Sequence, residues 1–150
     1  MTKITPRTIL IANGSGNFIK TFFAENDAVK PGHIVSGTGA GQGACDWPDA
    51  ANDVPIGVAL CAPGQDVDTA YTALVSFPVA VCSSGAEVWV RFKTSGGALA
   101  AGSTVMHDGA TAVNGLGILG LEGVYEIIGR SLDLHDDIAS ESWVKVRLST

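Results

Sequence analysis

The feature that most constrains this chain is a phrase used twice. Val54-Pro55-Ile56-Gly57-Val58-Ala59-Leu60 and Glu126-Ile127-Ile128-Gly129-Arg130-Ser131-Leu132 share an Ile-Gly-x-small-Leu core. Each follows a second shared phrase, Val29-Lys30-Pro31-Gly32-His33-Ile34-Val35 before the first and Leu99-Ala100-Ala101-Gly102-Ser103-Thr104-Val105 before the second. The offsets nearly agree, 102 − 32 = 70 and 129 − 57 = 72. Short β-type runs punctuated by glycine at matched spacing predict one strand unit used twice.

The rest of the composition fits that unit. Nineteen glycines against six prolines, with Val, Ile and Thr prominent, point to many short strands and tight turns. At 150 residues the chain is expected to form one body with its own core. The expectation is an all-β fold, a compact β-sandwich or β-barrel of internally repeated strand units over 25–150. An N-terminal extended arm or hairpin over 1–24 precedes it.

Charged residues are only 16%, against roughly 25% in soluble domains, so much of the surface is expected to touch something. A net charge of −6 argues against nucleic acid, which calls for clustered Lys and Arg. Lys3, Arg7 and Lys20 are the only charges in the first 24 residues, and that basic, apolar segment is suited to docking on an acidic neighbour. No apolar run is long enough for an export signal or a membrane span. Cys45, Cys61 and Cys82 have neither disulfide-framework nor zinc spacing and are read as reduced, in a chain made in a cytosol.

Along the chain, 8–12 and 17–23 read as two β-segments flanking Asn13-Gly14-Ser15-Gly16, an arrangement open to a hairpin. The glycine-rich stretch 37–43 lacks the Gly-Lys-Ser/Thr and the following helix of a phosphate loop, and is read as a surface loop. In the run 70–82, Pro78 predicts a bulge or an edge. Alternation is strict at Glu87 to Lys93, with Val88, Val90 and Phe92 facing the core and Trp89 and Arg91 facing away. Trp143, Lys145 and Arg147 repeat that parity opposite Val144, Val146 and Leu148. A Trp beside an Arg on an outer face suits either a subunit-contact patch or a Trp covered by a loop and stacked on its own strand's cation.

No constellation of residues announces a reaction. His135 has acidic company in Asp133, Asp136 and Asp137, but the spacing is not that of an EF-hand, and a solvated turn is expected. No nucleophile elbow or Cys–His motif is present, so neither enzymatic activity nor a cofactor or metal is expected.

The two phrases and the closing run Val144-Lys145-Val146-Arg147-Leu148 resemble those of the small head decoration, or capsid cement, proteins of tailed phages and prophages. The counterparts are Lys30-Pro31-Gly32-His33-Ile34-Val35 and Ile128-Gly129-Arg130-Ser131-Leu132. His33 stands where the family usually has an acid and Arg130 where it has an apolar residue, and 62–79 has no counterpart. The resemblance implies a virion protein on the outer capsid surface that binds the expanded head and bridges subunits of the major capsid protein. It also implies self-association, often as a homotrimer, with no direct contact to nucleic acid or membrane. On that reading the candidate contact residues are Ile4, Arg7, Ile9, Ile11, Phe18, Lys20 and Phe22 in the arm. On the body they are Trp47, Trp89, Arg91, Trp143 and Arg147. The alternative is a small β module binding a ligand or carbohydrate, with Trp47, Trp89 and Trp143 as stacking platforms. A hydrolase whose site forms only in space is a third possibility.

Overall fold

A computed structural model of the chain describes residues 6–38, 41–48, 53–93, 101–107, 115–119, 127–133 and 141–149, without the side chains of Met106, Ile118 and Leu119. The elements are β1 (Leu10–Ala12), β2 (Ile19–Ala24), β3 (Ile34–Gly37), β4 (Ala44–Asp46), β5 (Pro55–Ala59) and β6 (Ser76–Val81). A 3-10 turn at Cys82–Ser84 leads to β7 (Glu87–Phe92), β8 (Thr104–His107), β9 (Gly117–Leu119), β10 (Ile127–Ser131) and β11 (Ser142–Leu148).

The fold is all-β and the duplication is complete in its topology. Strands β2-β4-β3-β5-β6 close into a five-stranded barrel. Strands β7-β11-β10-β8-β9 repeat the circuit, β9 returning to β7 through the parallel pair Phe92 and Gly117. Each barrel has one parallel pairing, β2 with β4 and β7 with β9, and the other four are antiparallel.

Register repeats as faithfully as topology. Val35 faces Gly57 and Val105 faces Gly129. One step further on, both pairings slip by one residue, leaving Ile56 and Ile128 as bulges. Gly57 also faces Val81, and Gly129 faces Leu148. A Cβ on Gly57 would run into the Ala80 carbonyl, and one on Gly129 into the equivalent Arg147 carbonyl. The Ile-Gly phrase therefore recurs because a bulge and a close backbone approach recur.

Two apolar clusters fill the molecule. Val35, Ala59, Tyr71, Phe77 and Val79 fill the first barrel, with Tyr71 stacked on Phe77 at 4.5 Å. Val88, Val90, Phe92, Val105, Ile128, Val144, Val146 and Leu148 fill the second, as their alternation predicts. That second cluster also takes in Ile34, Val58 and Ala80 from the outward faces of β3, β5 and β6. A wall of the first barrel is thus buried on both sides, and each such Val or Ile contributes roughly 1.5–3 kcal/mol.

Three expectations are corrected. The segments before and after Asn13-Gly14 do not pair with each other: β1 lies antiparallel on β7, and β2 is a wall of the first barrel between β4 and β6. Strand pairing outweighs the turn signal because β2 finds five partners in β6. Residues 19–24 are therefore barrel, not arm. Pro78 makes neither bulge nor edge: it faces Thr21, and its carbonyl accepts from Leu60 N, one residue past the end of β5, where a missing N–H costs least.

Candidate functional site

The sequence places Trp and Arg on one outer face, and the structure shows what that face does. In the second barrel it receives the first. The turn Pro31-Gly32 enters β3, with Gly32 at φ +88°, and sits on the ring of Trp143. Arg91 lies 4.4 Å above the same ring. Its Nε donates to the Pro31 carbonyl at 2.9 Å, and its other nitrogens reach Glu141 Oε1 at 2.8 Å, Asp68 Oδ1 at 3.1 Å and the Val67 carbonyl. Three of these four acceptors belong to the first half, so a cation on β7 clasps the two barrels.

Backbone reinforces the clasp. Phe23 N donates to Gly43 O within the first barrel. The equivalent groups of the second barrel, Arg91 N and Gly115 O, are instead bonded to Gly32 O and Ile34 N, at 3.0 and 2.8 Å. The start of β3 is wedged into the mouth of the second barrel, between β7 and the turn before β9.

His33 lies in this wedge. Its Nδ1 accepts from Lys30 N at 2.9 Å and Trp47 Nε1 at 3.2 Å, with the two rings edge to face at 5.5 Å. Burial, then Arg91 and Lys30, lower its pKa from 6.5 to about 3, so it is neutral at ordinary pH. Nearby, the Asp46 carboxylate accepts from the backbone N–H groups of Glu25, Asn26 and Asp27, and Asp27 accepts from Trp47 N. These acids fasten loops. Burial raises the thiols of Cys45 and Cys82 to about 12, far from the thiolate a nucleophile needs.

The candidate contact residues divide. Ile9 is fully buried in the second core and Trp143 and Arg91 are buried at the junction, so these three are corrected from outer contact positions to structural ones. Trp47 and Trp89 are half-buried, Trp89 lying under Lys145 Nζ at 5.1 Å. Each outer Trp stacks on the cation directly across from it on the neighbouring strand, not on its own strand's. Phe18 and Phe22 are half-buried against the cores. Arg7, Ile11 and Lys20 are exposed, as is Arg147, which pairs with Glu87. Ile4 lies outside the described residues, as does the acidic loop from residue 134 to 140. Among the described residues no group of three or more metal-ligating side chains converges.

Among the described residues, an exposed surface with apolar residues lies on the first barrel. Ile19, Thr21 and Phe23 of β2 and Ser76 and Pro78 of β6 share its outer face, and the exposed Leu74 and Val75 lead into β6 at the Ala24 end of β2. Leu74 is 68% exposed and held at φ +65°, a conformation that costs a residue with a Cβ about 1–2 kcal/mol. The sequence hides this pair because the run 70–82, though too long for one strand, does not show where the strand starts, and β6 begins only at Ser76. By register, Phe23 and Ser76 correspond to Arg91 and Trp143. One face is covered by the partner barrel; on its twin Ser76 is exposed and Phe23 half-buried.

No protein-family model matches this sequence, and no curated protein matches it.

Proposed function

We propose that this chain is a capsid decoration protein, which binds the outside of an expanded phage head and stabilises it by bridging subunits of the major capsid protein. The observation that supports it most is the exposed apolar pair Leu74 and Val75, with Ile19 exposed further along the same barrel wall and Leu74 held at a costly φ, on a chain poor in charge. Exposed apolar residues gathered in one place mark a contact surface, and backbone strain at such a place is characteristic of function. The tandem barrels, clasped by a buried Arg, suit a part that carries load. The resemblance of the repeated phrases supplies the kind of partner.

The mechanism is linkage. A protein that binds the expanded lattice and not its disrupted state stabilises the lattice by the free energy of binding. Self-association belongs to the same reading, most simply as a trimer of three 15.3 kDa chains, seen near 46 kDa by light scattering.

The test is co-sedimentation of the purified chain with expanded and unexpanded heads of the virus that encodes it. Saturable binding at a fixed ratio to the major capsid protein, absent with unexpanded heads, is the expected result. Absence of binding to both forms overturns the proposal. The arm is tested by deleting residues 1–8 only, because a longer deletion removes β1 and then a barrel wall.

The carbohydrate reading loses one platform, since Trp143 lies beneath the Pro31-Gly32 turn and Arg91 and offers no open ring face.

A further inference from the structure

The two barrels differ in one further respect. In the second, the lower half of β7 is covered by β1: Leu10 faces Val88, Ala12 faces Glu87, and Trp89 N donates to Ile9 O at 2.9 Å. Ile9 thereby enters the second core, fully buried. By register, Glu87, Val88 and Trp89 correspond to Ile19, Lys20 and Thr21, since Glu87 faces Arg147 as Ile19 faces Ala80, and Ala80 and Arg147 are equivalent. Along β2, strand β4 pairs only with Phe23 and Ala24, so among the described residues nothing pairs with Ile19 to Thr21 on that side. All three are exposed.

The direction of the open groups follows from their neighbours. Phe23 N donates toward β4, and Phe18 O accepts from Val81 of β6. Alternation along a strand therefore turns the N–H groups of Ile19 and Thr21 away from β6, into the open edge.

We infer that this edge is a strand-addition site. It takes an extended segment of another polypeptide with the chemistry of β1: three or four apolar residues, docked antiparallel on Ile19, Lys20 and Thr21. The structure supplies the template, because the equivalent edge of the twin barrel is already filled by Ile9-Leu10-Ile11-Ala12. Backbone hydrogen bonds give such a site its affinity, and alternate side chains its selectivity. Here those side chains would meet the apolar outer face of Ile19 and Phe23. An exposed edge is otherwise a hazard that proteins blunt, and Lys20 is the only charge on this one. The inference stands on the duplication and holds whether or not the chain decorates a capsid.

The test uses the full chain and a labelled peptide with the sequence of residues 7–13, against a scrambled control. Binding is read by fluorescence anisotropy, and amide hydrogen exchange is followed residue by residue. The expected result is saturable binding that slows exchange at Ile19 and Thr21. In Thr21→Pro the donor facing the edge is lost, while the ladder to β6, which uses Lys20 and Phe22, is kept. Affinity there is expected to fall at least about tenfold, the equivalent of one hydrogen bond and a steric clash. Three results overturn the inference: no binding at millimolar peptide, binding without protection of Ile19 and Thr21, or binding unchanged in Thr21→Pro. The last would place the peptide on β7 in exchange for β1. Should Thr21→Pro fail to fold, the exchange pattern of the unmodified chain decides alone.

Discussion

Replacing Arg91 by Ala isolates the contribution of the clasp between the barrels. The side chain is 6% exposed and has four acceptors. Two of them, Asp68 and Glu141, are 66% and 41% exposed and regain water when the guanidinium is removed, so they add little. The Pro31 and Val67 carbonyls are different, because they lie at buried residues and lose a charged donor. Each unsatisfied carbonyl costs about 1–3 kcal/mol, and the lost contact with the Trp143 ring adds about 1 kcal/mol. The bond from Arg91 N to Gly32 O survives. A loss of about 3–5 kcal/mol in urea unfolding is expected, the range for removing one member of a buried charged network. Arg147→Ala, which breaks the exposed pair with Glu87, should cost at most about 1 kcal/mol. Arg91→Lys should recover less than half of the loss, because an ammonium cannot fork to acceptors on two sides. A loss below about 1 kcal/mol in Arg91→Ala would refute the clasp.

Two further perturbations use the same junction. Gly32 and Gly102 are equivalent turn residues at φ +88° and +85°, but a Cβ on Gly32 would strike Trp143, while one on Gly102 would meet nothing. Gly102→Ala should cost about 1 kcal/mol, from backbone strain alone, and Gly32→Ala about 3 kcal/mol or more; equal costs in thermal melts would show that Gly32 is not packed as described. His33, with its pKa lowered to about 3, binds no proton in the folded state between that pH and its ordinary 6.5, whereas the unfolded chain does. Its contribution is therefore fully present above pH 6.5 and is lost as pH falls toward 3. His33→Asn keeps an acceptor for Lys30 N and Trp47 Nε1, and should flatten the difference in urea midpoint between pH 7 and pH 4. An unchanged slope would remove His33 as its cause.

How much of this was legible in the sequence depended on whether a signal was local. Ile56-Gly57 and Ile128-Gly129 announced the duplication because a bulge and a close approach demand the same two residues in the same order. Alternation at Val88 and Val144 announced two core strands for the same kind of reason. What stayed hidden was partner choice. Nothing local in Leu10 or Phe22 says that one pairs across the molecule with β7 and the other with β6, so the Asn13-Gly14 turn signal suggested a hairpin that does not form. Arg91 and Trp143 read as either a contact patch or a Trp covered by a loop, because parity puts them outside a barrel and cannot know that a second barrel lies there. Leu74 was missed because an exposed Leu at positive φ has no sequence signature.

The repeats share a scaffold, so their differences show what each has been left to do. In the second barrel the edge at Glu87 is filled by β1 and the face at Arg91 is covered by the Pro31-Gly32 turn; in the first, among the described residues, nothing pairs with the equivalent edge, and Ser76 on the equivalent face is exposed. On the proposed function, that asymmetry makes the first barrel the expected contact side and Leu74 the residue to test. Leu74→Gly relieves the φ of +65° and should leave stability unchanged or raise it by about 1 kcal/mol. Removing a side chain 68% exposed should at the same time weaken co-sedimentation with heads or self-association. A core residue cannot behave this way, since truncating one lowers stability first. Stability and binding moving in opposite directions would mark Leu74 as held in place for a partner, the trade expected where function holds a residue in strain. Binding unchanged alongside higher stability would mean that the strain serves nothing on this face, and the contact surface would have to be sought on the second barrel instead.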